Sequence, residues 1–207
     1  MEVPQISFYA NLLSLTIVLI CWCIFGYTIL FGRTGHTDEN RSSAPKSWAG
    51  LALQLGGIGV AFVLPRLPIA SPLTAGQFAN IVLQLIAVLL AVGSVWLAIA
   101  AIKELGKQWS LEARVLEGHK LITTGVYSRV RHPIYTAMLG MLLATGLAWS
   151  HWIAVLIGLI VFLVGTRIRT RLEEALLRDA FGEEFETWHR KVPGLIPFFQ
   201  IVPRRSE

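Results

Sequence analysis

Five apolar runs, parted by one tight turn and several charged stretches, leave this chain little choice of solvent. Phe8 to Phe31, at 1.5 Å per helical residue, is long enough to cross a hydrocarbon core of ~30 Å. It is too long for a signal-peptide core, and Met1 to Ser7 carries no Lys or Arg ahead of it. A Gly-rich run from Trp48 to Leu64 is closed by Pro65, and Phe78 to Ile102 forms a third. Ile134 to Trp149 and Trp152 to Thr166 are separated only by Ser150 and His151, which predicts an antiparallel helical hairpin. Lys103 to Pro133 is a polar connection, and Arg167 to Glu207 is a charged tail. Charged residues make up 15% of the chain, against about a quarter in soluble domains, and mean hydropathy is +0.60. The expected fold is an all-α integral membrane protein of about five transmembrane helices.

The basic residues orient this arrangement. Counting the first loop, the third loop and the tail together places 17 Lys and Arg on one side of five spans and only Arg66 on the other. By the positive-inside rule the N-terminus is outside and the C-terminus cytoplasmic. The formal charge of +5 follows those loops and forms no basic face with interleaved aromatics, so nucleic acid is not an expected partner. Cys21 and Cys23 both lie in the first run without zinc-like spacing, so they read as packing residues and no metal is expected.

Unusual residues concentrate in the two long cytoplasmic segments. In LITTGVYSRVRHPIY, Arg131 and His132 precede Pro133, which suits the first turn of the fourth helix because it lacks the N–H unsatisfied there. Both therefore stand at the partly positive mouth of a membrane helix. In GTRIRTRLEEALLRDAFGEEF, a helix continuing past Thr166 puts Arg169 and Glu173 on one face, four residues apart, and turns Glu174 about 100° away. The hairpin returns the end of span five to the start of span four, so Arg131, His132, Arg169 and Glu173 can line one pocket. Ionisable residues at that depth are functional candidates. The plainer alternatives are a positive-inside anchor at Arg131 and a solvated ion pair at Arg169 and Glu173. On the one-pocket reading, truncating Glu174 is expected to matter much less than truncating Glu173, and Arg169→Ala is expected to leave the affinity for a ligand held by His132 and Glu173 nearly unchanged.

HKLITTGVYSRVRHPIY, followed by Glu173–Glu174 and then FGEEFETWHRKVPGLIPF, resembles the isoprenylcysteine carboxyl methyltransferase family of integral membrane methyltransferases, a group related to phospholipid N-methyltransferases. The resemblance covers roughly Leu105 to Phe199, and divides the chain into an N-terminal three-span membrane region, 1–104, and a C-terminal methyltransferase-like half, 105–207, with a cytoplasmic cofactor pocket. Ala137 departs from the Gly that many members carry there. The resemblance implies S-adenosylmethionine as methyl donor and a lipophilic acceptor from the bilayer. It also implies cofactor contacts at Glu112, His119, Lys120, Leu121, Ile122, Tyr127, His132, Pro133, Ile134, Tyr135 and Glu173. Arg169 would serve substrate binding and catalysis, with Arg131 as a second catalytic candidate. The glycines Gly56, Gly57 and Gly59 lie inside an apolar run with no strand before them, so they suit close helix packing and not a dinucleotide fingerprint. Membrane sterol reductases share a related C-terminal half and bind a nicotinamide cofactor, which keeps a reductase as the alternative enzyme class.

Overall fold

The computed structural model describes residues 5–32, 47–65, 77–110 and 120–196, and all regular structure among them is helical. Five helices follow the five apolar runs: α1 (Gln5–Phe31), α2 (Ser47–Val63), α3 (Gln77–Leu105), α4 (Pro133–Ala148) and α5 (Trp152–Lys191). Three of them, α1, α3 and α5, are long and apolar enough to cross a membrane, while α2 and α4 are shorter apolar helices of 17 and 16 residues. Large apolar side chains such as Leu13, Ile20, Leu85, Leu89, Leu156 and Ile160 point outward, as they do when the surrounding solvent is lipid. The chain is thus an integral membrane protein by its architecture.

Helix α4 lies between two pairs. On one side α3 packs along α1 and α4 through a stripe of buried alanines, Ala87, Ala91, Ala98 and Ala101, whose helical spacing brings the backbones close. On the other side α5 packs along α2. There a Cβ on Gly57 would come within 2.5 Å of the Gly158 carbonyl, and one on Gly158 equally close to that of Gly57. Gly50 and Gly165 repeat the approach two turns away. Small-residue packing is therefore right for Gly57, but Gly56 and Gly59 face open space, and the partners Gly50 and Gly165 were not expected. Gly158→Val is expected to destabilise the protein by about 1–3 kcal/mol through overpacking, whereas Gly59→Val should leave the melting temperature in detergent nearly unchanged.

The tight turn between α4 and α5 caps a third helix. Ser150 Oγ donates to the Ala61 carbonyl, Trp149 Nε1 to that of Phe62 at 3.1 Å, and His151 N to that of Leu64 at 2.8 Å. The last carbonyls of α2, which have no partner within their own helix, are satisfied in this way.

Candidate functional site

The site is built where α4 begins. Pro133 occupies the first helical turn and His132 is the N-cap residue, with φ −122° and ψ 63°. The preceding segment is fixed by a short 3₁₀ turn, Gly125–Ser128, that buries Tyr127. Gly125 has φ 55° and packs against the Glu104 carboxylate, so both its backbone conformation and its space call for glycine.

Helix α5 continues well beyond its apolar part and supplies Arg169, Glu173 and Glu174. At Gly182 (φ 49°, ψ −121°) it breaks and the chain turns back. His189, which would sit ~22 Å further along a straight helix, instead has its Nε2 3.3 Å from Glu174 Oε2. The returning segment is tied to the start of α4 by backbone hydrogen bonds, Arg131 N to the Pro193 carbonyl at 2.9 Å and His132 N to that of Gly194 at 3.0 Å. Arg131 Nη1 also donates to the His189 carbonyl at 3.1 Å, and Trp188 Nε1 to that of Tyr127 at 3.2 Å.

These elements bring seven polar side chains into one network. Arg169, buried at 4% exposure, donates from Nε to the Tyr135 hydroxyl at 2.7 Å, and that hydroxyl donates to Glu173. Arg169 Nη2 is 3.7 Å from Glu173 Oε1, so the expected face shared by these residues is present. The His132 ring lies between two carboxylates, with Nδ1 3.5 Å from Glu173 and Nε2 3.0 Å from Glu174. Arg131 Nη2 reaches Glu174 at 3.2 Å.

Glu174 is turned from the cavity, which Glu173 lines and Glu174 does not, yet it is tied to the same network through His132 and Arg131. Successive helix positions do differ by about 100°, but imidazole presents a nitrogen on each side, and a ring placed between the two residues meets both carboxylates. The expected independence of Arg169 from the cofactor residues is weakened as well, because Arg169 holds Tyr135 and Glu173.

Burial alone would lower the His132 pKa, but hydrogen bonds and charge from Glu173 and Glu174 outweigh it and raise it above the ordinary 6.5. Burial works against ionising Glu174, yet the His132 hydrogen bond, with Arg131 and His189 nearby, brings it down to about 2. His189 is lowered, mainly by burial and then by Arg131. The signs set a window. The His132 contribution is complete below its unfolded value of 6.5 and is lost as pH rises through its raised folded value; that of His189 is complete above 6.5 and lost in moderately acid solution. The Glu174 contribution is complete above 4.5 and lost as pH falls toward about 2. Melting temperature followed against pH should peak from about 6.5 up to the raised His132 value, fall in two acid steps, and lose the upper acid step in His189→Ala.

A cavity of about 390 Å³ opens beside this network. Lys120, Leu121, Ile122, Tyr127, Arg131, His132, Pro133, Ile134, Tyr135, Arg169 and Glu173 all line it, so these candidates from separate stretches of sequence meet in one place. Glu112 and His119 lie outside the described residues. The wall also contains Gln108, Trp109 and Trp188, which sequence reasoning missed. Trp109 Nε1 and Arg131 Nε are buried there with no hydrogen-bond partner among the described residues, two donors left for an acceptor. The far part of the cavity is mostly apolar, walled by Trp22, Phe25 and Ile29 of α1 and by Leu51, Leu55 and Ile58 of α2, with Gln54 of α2 the one polar side chain among these.

Residues 82–184 match the phospholipid methyltransferase family. The chain is also 34% identical over 79 residues to protein-S-isoprenylcysteine O-methyltransferase of Schizosaccharomyces pombe, covering 38% of this chain and 34% of that protein. It is 34% identical over 82 residues to a probable protein-S-isoprenylcysteine O-methyltransferase of Oryza sativa subsp. indica, covering 40% and 43%. To protein-S-isoprenylcysteine O-methyltransferase of Mus musculus it is 32% identical over 84 residues, covering 41% and 30%. The chain thus matches less than half the length of each of these relatives, and the resemblance read from the motifs is upheld over its C-terminal part.

Proposed function

With residues 82–184 carrying a phospholipid methyltransferase domain, we propose that the chain transfers a methyl group from S-adenosylmethionine to the carboxylate of a lipophilic, prenylcysteine-like acceptor taken from the bilayer. The observation that carries this reading is the continuity of one cavity, polar around His132, Tyr135, Arg169 and Glu173 and apolar between α1 and α2. On this reading residues 105–207 hold the donor and the chemistry, residues 1–104 supply the walls for the acceptor, and five spans put the site on the cytoplasmic side.

The residues present fit such a donor. Bound S-adenosylmethionine supplies an electrophilic methyl on a sulfonium, so in-line alignment and exclusion of water do most of the catalytic work. The start of α4 and Arg131 Nε, unpartnered among the described residues, favour the donor's carboxylate, and Glu173 its ammonium. Leu121, Ile122 and Tyr127 offer an apolar flank for adenine, and Trp109 Nε1 a hydrogen bond. Arg169 orients the acceptor carboxylate and offsets its charge, while Arg131 braces Glu174 beside it.

The family's own description favours comparison with a phospholipid amine acceptor. An amine must lose a proton, which calls for a free base. His132 is a poor one, since both its ring nitrogens face carboxylates. Radiolabelled methyl transfer in detergent, against farnesylcysteine and against total lipid extract, tests the choice. Base-labile label on farnesylcysteine is expected, and base-stable label confined to phospholipid head groups would overturn the carboxylate reading.

A further inference from the structure

The apolar arm of the cavity runs along two helices. Along α1 its lining runs from Leu30 back to Trp22, ~12 Å of helix, and along α2 from Leu51 to Ile58. Trp22 is the lining residue of α1 furthest from the polar network in sequence, and three contacts hold it. Its Nε1 donates to Thr145 Oγ1 of α4 at 2.9 Å, and its ring meets those of Phe62 on α2 and Phe25 edge-on, with centroids 6.0 and 5.8 Å apart. Phe62 is held in turn, because its carbonyl accepts from Trp149 Nε1. Trp22 thus joins α1, α2 and α4 at one end of the lining. One turn from Trp22, Gly26 lines the same arm, and a Cβ there would meet nothing within 4 Å.

We propose that Trp22 is the end stop that measures the acceptor's hydrocarbon chain, with Gly26 keeping the path to it open. Both are specificity-determining residues, and both lie outside residues 82–184, so the family match says nothing of them. The inference rests on the lipophilic acceptor proposed above. Its physical basis is that a rigid apolar wall rejects an extra prenyl unit by the burial it denies, and even one methylene in a closed pocket changes kcat/KM about tenfold or more.

The test is a series of prenyl-, geranyl-, farnesyl- and geranylgeranylcysteine. Each is assayed for methyl transfer and, with no donor present, for binding to the purified protein. Trp22→Ala should shift the preference toward a chain one prenyl unit longer, and Gly26→Leu toward a shorter one, each by about tenfold in relative kcat/KM and in relative affinity. Gly26→Leu keeps the test sound should loss of the Trp22 contacts harm folding, because it adds a side chain to open space. Binding with shifted preferences but no transfer would sink the proposed reaction and leave the end stop standing. Transfer with the same preference in the wild type and in every variant that folds would sink the end stop and leave the reaction standing. If no member of the series binds, both fall.

Discussion

Arg169→Ala should lower turnover with a prenylcysteine acceptor by about 10²–10³, the usual cost of removing a buried group aimed at charge in the reacting centre. The residue is 4% exposed, and its guanidinium is held by Tyr135 and Glu173 with its Cζ 5.3 Å from the Tyr135 ring centroid. Space for its stem comes from Gly50, where a Cβ would meet Arg169 Cγ at 2.6 Å. Arg169→Lys should restore activity only in part, because a point charge cannot reproduce the planar fork that fixes a carboxylate. Because Arg169 also braces Glu173, donor affinity should fall slightly as well, and the larger loss should appear in kcat and acceptor KM. Steady-state kinetics with donor binding measured in parallel checks this. Wild-type turnover and acceptor KM in the alanine variant would remove Arg169 from the reaction.

Glu174→Ala should be the most destabilising single change in the site, by about 3 kcal/mol. Its carboxylate touches three basic groups from two chain segments, Arg131 and His132 before α4 and His189 on the returning segment. Removing it leaves Arg131 and His132 facing one another in a largely buried setting. Glu173→Ala should behave differently. Glu173 accepts from Tyr135 at the cavity wall, so its loss should weaken donor binding by about 1–3 kcal/mol with a smaller change in stability. Thermal unfolding and donor titration on the two variants separate these roles, and matching profiles would refute the division.

The helices were legible because apolar runs of this length have few other uses, and the α4–α5 hairpin because two residues leave no room for anything else. Arg169 and Glu173 were legible from a spacing of four on one helix. The turn of Glu174 away from the cavity was legible too, but its bond to His132 was not, because spacing within a helix gives the direction of a side chain and nothing about the width of the partner beside it. His189 and Trp188 were missed because FGEEFETWHRK reads as continuing helix, and only the positive φ at Gly182 turns it back. The groove between α1 and α2 was not legible either. Those helices are apolar nearly all round, so no clear stripe in the sequence marks which face meets a neighbour and which meets a ligand.

The reversal at Gly182 also bears on how the protein is made. The amides of Arg131 and His132 find their acceptors in Pro193 and Gly194, and the Glu174 carboxylate finds His189, all beyond the turn. The apolar helices, by contrast, are complete by Thr166 and need none of those partners to enter a bilayer. Entry into the bilayer and completion of the pocket therefore depend on different parts of the chain. A nascent chain stalled after Gly182 would already be anchored in lipid while its pocket still lacked one wall. The stretch beyond Gly182 then has to fold back onto the start of α4 before the site has all of its partners.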